Sequence, residues 1–407
     1  MANLKIFLSA GEASGEHYGA MLMDALRRQV EEADFFGLGG VRMEQAGLRR
    51  VVRAEDVAVM GITEVIAHMP HIYAQYRKLK ASLRAERPDL AILIDFPDVN
   101  LRLAGELHRL GVPVVYFVSP QLWAWKKRRI RRVKRFVTRM LVIFPFEEAF
   151  YRQRGVAADF VGHPLADLDP PRISRDAFAR ENGLDASKPW IGLLPGSRRK
   201  ELRANLPPML EAAQMLGSKY EFLLPVAPTL KNSDVEAALA QTPAAGSLHL
   251  VHDARATLFH AAASVVASGT ATVEAAILGN PFLVVYRISR LSYAVARRVV
   301  RVPHVGMVNL IAGRRIVPEL IQDNFTASNI VENLRPLLED SVARATMQSD
   351  LAAVRAALRK RGSPAAQSSI EQAASIALDL VTRSGSPEPE FGSQETASKK
   401  TEERPCQ

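Results

Sequence analysis

The hydrophobic positions of this chain switch repeatedly between two periods. Residues 4–10 (Leu-Lys-Ile-Phe-Leu-Ser-Ala) form a short run of strand length, and Met21, Leu22, Leu26 and Val30 then recur at helical spacing. Further runs at 34–40, 88–94, 112–118 and 140–144 predict strands. Amphipathic stretches at 17–29, 41–47, 68–85, 126–137 and 148–154 predict helices among them. A polar segment at 166–188, punctuated by Pro170-Pro171, reads as a linker and the first helix of a second half. Strands at 190–194, 220–226, 248–252, 261–266 and 281–286 follow, then a basic helical region at 290–301. Helices at 328–338, 342–358 and 365–382 close the pattern.

Near-continuous apolar strands such as 88–94 belong to parallel sheets covered on both faces. The alternation therefore predicts an α/β chain with two Rossmann-like, doubly wound parallel-sheet domains facing across a cleft. The expected divisions are a first domain at 1–165 and a second at 166–340. Terminal helices at 341–383 would pack back on the first domain or exchange with a partner chain, and 384–407 would be a disordered tail.

Composition narrows the classes. At 407 residues the chain has room for two or three domains. It has no uninterrupted apolar stretch of roughly 18 residues, so no membrane-spanning helix is expected. Its single cysteine, Cys406, excludes an intrachain disulfide and a cysteine-based zinc site, which fits a reducing, cytoplasmic setting. The formal net charge is +10, and the tail carries five acids against three bases, so the body is about +12. Such a body points to nucleic acid, an anionic membrane surface or phosphorylated substrates. No HExxH, CxxC or paired-histidine metal spacing occurs.

The chemistry gathers at strand-to-helix turns. Ala267-Ser268-Gly269-Thr270-Ala271-Thr272-Val273-Glu274 leads from a strand into a helix. Helix-start amides at Ser268, Gly269 and Thr270 suit a phosphate, and Glu274, one turn in, suits the hydroxyls of a ribose. A Ser/Thr-capped helix with small residues for close packing would also explain it. Pro195-Gly196-Ser197-Arg198-Arg199-Lys200 is a second turn of this kind, with Arg198 able to clamp phosphate oxygens and Lys200 to add charge.

In the first half the turns are acidic. Gly11-Glu12-Ala13-Ser14-Gly15-Glu16 lacks the G-x-G-x-x-G spacing and better suits a sugar or an acceptor hydroxyl, or is a plain tight turn. Asp95-Phe96-Pro97-Asp98-Val99-Asn100 offers Asp98 as a general base and Asn100 to position a substrate or cap the next helix. Ser119-Pro120-Gln121-Leu122-Trp123-Ala124-Trp125 adds Gln121 as a further sugar contact. Trp123 and Trp125, beside Lys126, Lys127, Arg128 and Arg129, suit a membrane interface, with a nucleic-acid surface or a merely solvated face as competitors. An apolar patch at 65–72 joins them. Acid-rich turns in one half and phosphate-ready turns in the other suggest transfer from a nucleotide-diphosphate donor to a hydroxyl acceptor.

These motifs, in this order and with Gly162-His163-Pro164 and Asn309-Leu310, closely resemble the lipid-A-disaccharide synthase family over about residues 4–380. The resemblance implies a GT-B glycosyltransferase fold and inverting transfer from UDP-2,3-diacylglucosamine. The acceptor would be the 6-hydroxyl of 2,3-diacylglucosamine 1-phosphate (lipid X), and the products the β-1,6 disaccharide 1-phosphate and UDP. It implies no metal or other cofactor and no nucleic-acid partner. It also implies a peripheral enzyme on the anionic, cytoplasmic face of an inner membrane. Carried over by residue, Asp98 resembles the base, Arg198 the arginine at the donor diphosphate, Glu274 the acid at the ribose and Asn309 an amide important for activity. Glu16 stands where the family usually has aspartate, and Val99 where phenylalanine is more usual. A homodimer through exchanged terminal helices is one arrangement the ending allows. The competing functions are another UDP-sugar enzyme of this fold, such as a UDP-GlcNAc 2-epimerase or a peptidoglycan glycosyltransferase, and a basic membrane-binding protein without activity.

Overall fold

A computed structural model describes residues 4–57, 69–125, 127–240, 247–289, 293–294, 297–298, 302–360 and 367–384. Residues 65–68 of the apolar patch at 65–72, most of 290–301, Lys126 and the tail from 385 lie outside the described residues.

The described strands form two all-parallel sheets. The first contains β1 (Leu4–Ala10), β2 (Ala33–Gly39), β3 (Arg49–Arg53), β4 (Leu90–Ile94), β5 (Val114–Phe117), β6 (Arg139–Val142) and β7 (Ala158–Phe160), ordered 3-2-1-4-5-6-7. The second contains β8 (Trp190–Leu194), β9 (Glu221–Pro225), β10 (Leu248–Val251), β11 (Ala263–Ala267), β12 (Phe282–Tyr286) and β13 (Glu319–Ile321), ordered 10-9-8-11-12-13. The α/β, doubly wound expectation holds. Side-chain alternation along the strands explains it. In β1, Phe7 enters a core with Phe36, Leu93 and Tyr116, while Ile6 and Leu8 face the other way toward Phe35, Ile92 and Phe117. Both faces are thus apolar and need helices over them.

The terminal helices divide between the halves. Ser341–Ala357 buries Met347, Leu351 and Val354 on the second core. Ser369–Ser384 crosses back within the same chain, and its Ile370, Ala373, Ala374 and Ala377 join the Ile6–Leu8 face. Alanines on that side let it lie close to the helix Ala13–Arg27. Ser369 is tied to the linker by its backbone N–H, 2.7 Å from Asp167 Oδ2.

Each sheet reverses its order once, at β1/β4 and at β8/β11. A parallel α/β sheet opens a crevice beyond the carboxyl ends of the strands at such a switch point.

Candidate active site

The β1/β4 switch point brings the acid-bearing turns together. Ala10 lies opposite Ile94, and Ile94 opposite Phe117, so the turns after β1, β4 and β5 stand side by side. Asp95 and Phe96 both adopt left-handed backbone, φ +45° and +47°. This tight bend leads into the helix Pro97–Arg109, with Pro97 at its first position. It also presses Phe96 on the neighbouring turn: a side chain at Gly11 would meet the Phe96 ring at 2.5 Å. Asn100 holds the bend from beneath. Its Nδ2 donates to the carbonyls of Asp95 (2.8 Å), Ile94 (3.1 Å) and Ser9 (3.3 Å), and its Oδ1 accepts from Ser9 Oγ at 2.6 Å. Being fully buried, Asn100 is a brace and has no group left for substrate, which corrects its expected place among the sugar contacts.

Asp98, two residues earlier on that helix, is open to solvent, with its side chain 68% exposed. Its carboxylate pairs with Arg129. Arg129 therefore turns into the site and is only 23% exposed, a correction to its expected place on a membrane surface. Asp95 is the second acid here. Burial, then the charge of Glu12, raise its pKa to about 7. Glu12 and Gln121 are exposed and Ser14 is half-buried at this crevice. Glu16 caps a neighbour instead: its Oε1 accepts the Arg42 N–H at 2.6 Å, at the start of the helix Val41–Gln45.

Trp123 is likewise drawn inward. Its Nε1 donates to Glu147 at 3.0 Å, and its ring meets Phe146 edge-on at 5.1 Å. Glu147 also accepts from Ser119 Oγ at 2.6 Å, and burial lifts its pKa to about 7. Trp123 is thus an anchor for the loop after β5. Trp125 is 43% exposed and Arg128 is exposed, whereas the Lys126 and Lys127 side chains lie outside the described residues.

The β8/β11 switch point joins the two phosphate-ready turns. Leu194 lies opposite Val266, so the turns at 195–198 and 268–270 are neighbours. Gly196 has φ +118°, and a side chain there would collide with Glu201 at 2.4 Å. Glu201 accepts the Ser197 N–H at 3.1 Å and holds Arg198 Nη1 at 3.1 Å, leaving the arginine half exposed. Asn205 donates to the Pro195 carbonyl at 2.7 Å, and Thr229 to that of Ser197 at 2.6 Å. Across from them, the helix Thr270–Leu278 begins at Gly269 with no side-chain cap. Gly269 and Thr270 are exposed, Ser268 is half-buried, and nothing lies within 4 Å of where a side chain on Gly269 would be. An open, uncapped helix start with an arginine beside it is a site for an anion.

Glu274 stands one turn in. Arg255 Nη1 donates to it at 3.1 Å, and Arg255 Nη2 to the linker carbonyl of Asp169 at 2.9 Å. Burial raises the pKa of Glu274, and Arg255 opposes that shift. Its charge reaches Tyr18 of the first half, whose phenol is raised mainly by burial and then by Glu274. Asn309, expected at the chemistry, is fully buried. Its Nδ2 donates to Val317 O at 3.0 Å and Glu319 Oε1 at 2.8 Å, and its Oδ1 accepts from the Ile316 and Val317 N–H groups. It positions the approach to β13 without touching the crevice.

Sequence reasoning missed Asp95 as a tuned acid, Glu201 and Arg255. Glu201 had a signal, a carboxylate three residues past Arg198 at a helix start, as in a capping box. Arg255 had none, because its partner is set by the packing of two helices. Among the described residues, no group of three or more His, Cys, Asp or Glu could hold a metal ion, and no helix is long and apolar enough to cross a membrane.

Comparison with known proteins gives this geometry a context. The sequence profile described as lipid-A-disaccharide synthetase matches residues 6–374. The lipid-A-disaccharide synthase of Acidobacterium capsulatum is 60% identical over 390 residues, covering 93% of this chain and 96% of that protein. That of Koribacter versatilis is 50% identical over 381 residues, covering 93% and 99%. Among solved structures, UDP-GlcNAc 2-epimerase from Neisseria meningitidis bound to UDP-GlcNAc superposes with a TM-score of 0.61 at 13% identity, covering 93% of this chain and all of that one. The calicheamicin glycosyltransferase CalG4 gives 0.59 at 15% identity, covering 95% and 100%. These last two likenesses speak for the two-sheet GT-B fold alone.

Proposed function

The chain belongs to the lipid-A-disaccharide synthase family, and from that premise we propose how its two crevices divide the reaction. It is a glycosyltransferase of GT-B fold. The donor is UDP-2,3-diacylglucosamine, held at the β8/β11 switch point, and the acceptor is lipid X at the β1/β4 switch point. The observation that carries the division is the opposite charge of the two crevices: exposed Asp98 in one, Arg198 beside an uncapped helix start in the other.

In the proposed reaction the acceptor's 6-hydroxyl oxygen attacks the donor's anomeric carbon from the face opposite the diphosphate. The bond from that carbon to the β-phosphate oxygen breaks, so the configuration inverts. The hydroxyl proton passes to the Asp98 carboxylate, which Arg129 orients. UDP leaves with the electron pair, and its charge is met by Arg198 and the amides at Gly269 and Thr270. Glu274 receives the ribose hydroxyls. The exchange needs no redox partner, and a metal-independent reaction is part of the proposal.

Both substrates carry acyl chains, so we also place the enzyme peripherally on the cytoplasmic face of an anionic inner membrane. Exposed Trp125 and Arg128 support that contact. The test is incubation with UDP-2,3-diacylglucosamine and lipid X, following UDP release and disaccharide 1-phosphate by mass spectrometry. Disaccharide formed in step with UDP is the expected result. Folded protein that releases UDP without disaccharide would transfer the donor assignment to another UDP-sugar reaction.

A further inference from the structure

His163 belongs to the Gly162-His163-Pro164 segment, where the chain leaves the first sheet for the linker. None of the steps above uses it. Its ring is 2% exposed and lies among aromatics of the first half, 5.4 Å from Phe144 and 6.4 Å from Tyr18, edge-on to the latter. Its backbone N–H is tied elsewhere, to Leu358 O at 2.9 Å, at the end of a helix packed on the second half. Phe144 itself packs against the cores of both halves. The 3-10 turn Pro164–Asp167 that His163 caps packs on the helix Thr270–Leu278, the helix that bears Glu274. His163 therefore sits at the floor of the junction between the crevices.

The ring's protonation is fixed by its surroundings. Nδ1 accepts the Leu165 N–H at 3.2 Å. Burial lowers the imidazole pKa to about 3, so the ring is neutral, and with Nδ1 accepting, its one proton is on Nε2. Among the described residues Nε2 has no hydrogen-bond partner. Nε2 is not one of the buried side-chain atoms left without a partner, so its N–H is open to an incoming ligand oxygen. The tautomer allows donation only, so the ring cannot serve as a base.

We propose that His163 is a donor-binding residue whose Nε2–H donates to an oxygen of the UDP group bound at this junction. The inference rests on the donor site assigned above. Tyr18 connects the two, because it borders the His163 ring on one side and senses the Glu274 carboxylate on the other.

Two substitutions separate this role from helix-start capping. Asn at 163 reproduces the Nδ1 acceptor for Leu165 but has no donor where Nε2 lies, whereas Gln reaches that donor position and gives up the acceptor. Titration calorimetry of the full chain with UDP is expected to show about tenfold weaker binding in His163→Asn, even where the smaller side chain lowers the melting temperature. His163→Gln is expected to bind within about threefold of the parent, even where it melts earlier. A folded His163→Asn that binds UDP as the parent does would overturn the proposal. The unmodified chain gives a measurement independent of folding. With ¹⁵N-labelled histidine, saturating UDP should shift the His163 Nε2–H resonance, and no shift would also overturn it. Glu274→Gln is the control for the site: if it leaves UDP affinity unchanged, the donor site itself is misplaced, whereas weaker UDP binding there with parent-like His163→Asn removes His163 alone.

Discussion

At both switch points the helix that follows the strand sends a buried asparagine back beneath the turn, Asn100 after β4 and Asn205 after β8. Above these braces the charges are opposite, Asp95 and Asp98 in the first crevice, Arg198 in the second. The braces also differ in completeness. Asn100 uses both ends of its amide, reaching β1 as well as β4, whereas Asn205 Oδ1 is buried without a partner. The first asparagine ties its turn to two strands, whereas the second makes a single bond to its turn. Such a contrast suits a crevice that must aim a base, beside one that must yield as a diphosphate enters and leaves.

The largest effects should divide along this line. Asp98→Asn is expected to lower kcat by about 10²–10⁴-fold, because the acceptor proton loses its base, while UDP affinity by calorimetry stays near the parent value. Arg198→Ala is expected to lower kcat/KM by about 10²–10³-fold and to weaken UDP binding with it, since its charge meets the leaving diphosphate. If Asp98→Asn instead abolished UDP binding, the two crevices would not divide the substrates.

The turns were legible in the sequence because each needs residues that stand out: glycine where a side chain would collide, proline opening a helix, an acid or arginine at the bend. The inner strands were legible for a similar reason, as β4 is apolar throughout and β11 is apolar but for Ser264. What escaped were edges. β3 (Arg49–Arg53), β7 (Ala158–Phe160) and β13 (Glu319–Ile321) each lie at the rim of a sheet, pair on one side only, and are short or charged. They carry no apolar run to read. Pairings between distant side chains escaped too. Arg129 reads as one more cation in a basic stretch until the fold sets it against Asp98, and Trp123 reads as an interfacial ring until Glu147 takes its N–H.

The next effect is on stability. Asn100→Leu removes every bond of the brace and strands Ser9 Oγ and the carbonyls at the ends of β1 and β4. A loss of roughly 2–4 kcal/mol in chemical denaturation is expected. A loss under about 0.5 kcal/mol would mean that the left-handed bend at Asp95–Phe96 holds itself without the amide.

Asp95 gives the first crevice a pH dependence. Its folded-state pKa of about 7 lies above the ordinary 3.8, so the folded chain holds a proton that the unfolded chain has released. Its contribution is therefore fully present at low pH and is lost as the pH rises from about 4 through about 7. Asp95→Asn removes this slope. Relative to the parent, the variant is expected to gain on the order of 1–3 kcal/mol at pH 8 and little at pH 4, by denaturant midpoints at the two values. An equal change at both would tie the effect to packing and not to the proton.

Asn205→Leu should have the smallest effect, and it tests the contrast between the braces directly. The substitution leaves the Pro195 carbonyl without its donor, which costs about 1–2 kcal/mol, but it also removes an Oδ1 that was already buried without a partner. The two terms oppose, so the net loss is expected to stay within about 1 kcal/mol, well below that of Asn100→Leu. Thr229 and Glu201 still hold the turn at Ser197, so UDP affinity should change by no more than about threefold. A loss equal to that of Asn100→Leu would mean that the second turn is as tightly locked as the first. The difference between the crevices would then lie in their charges alone.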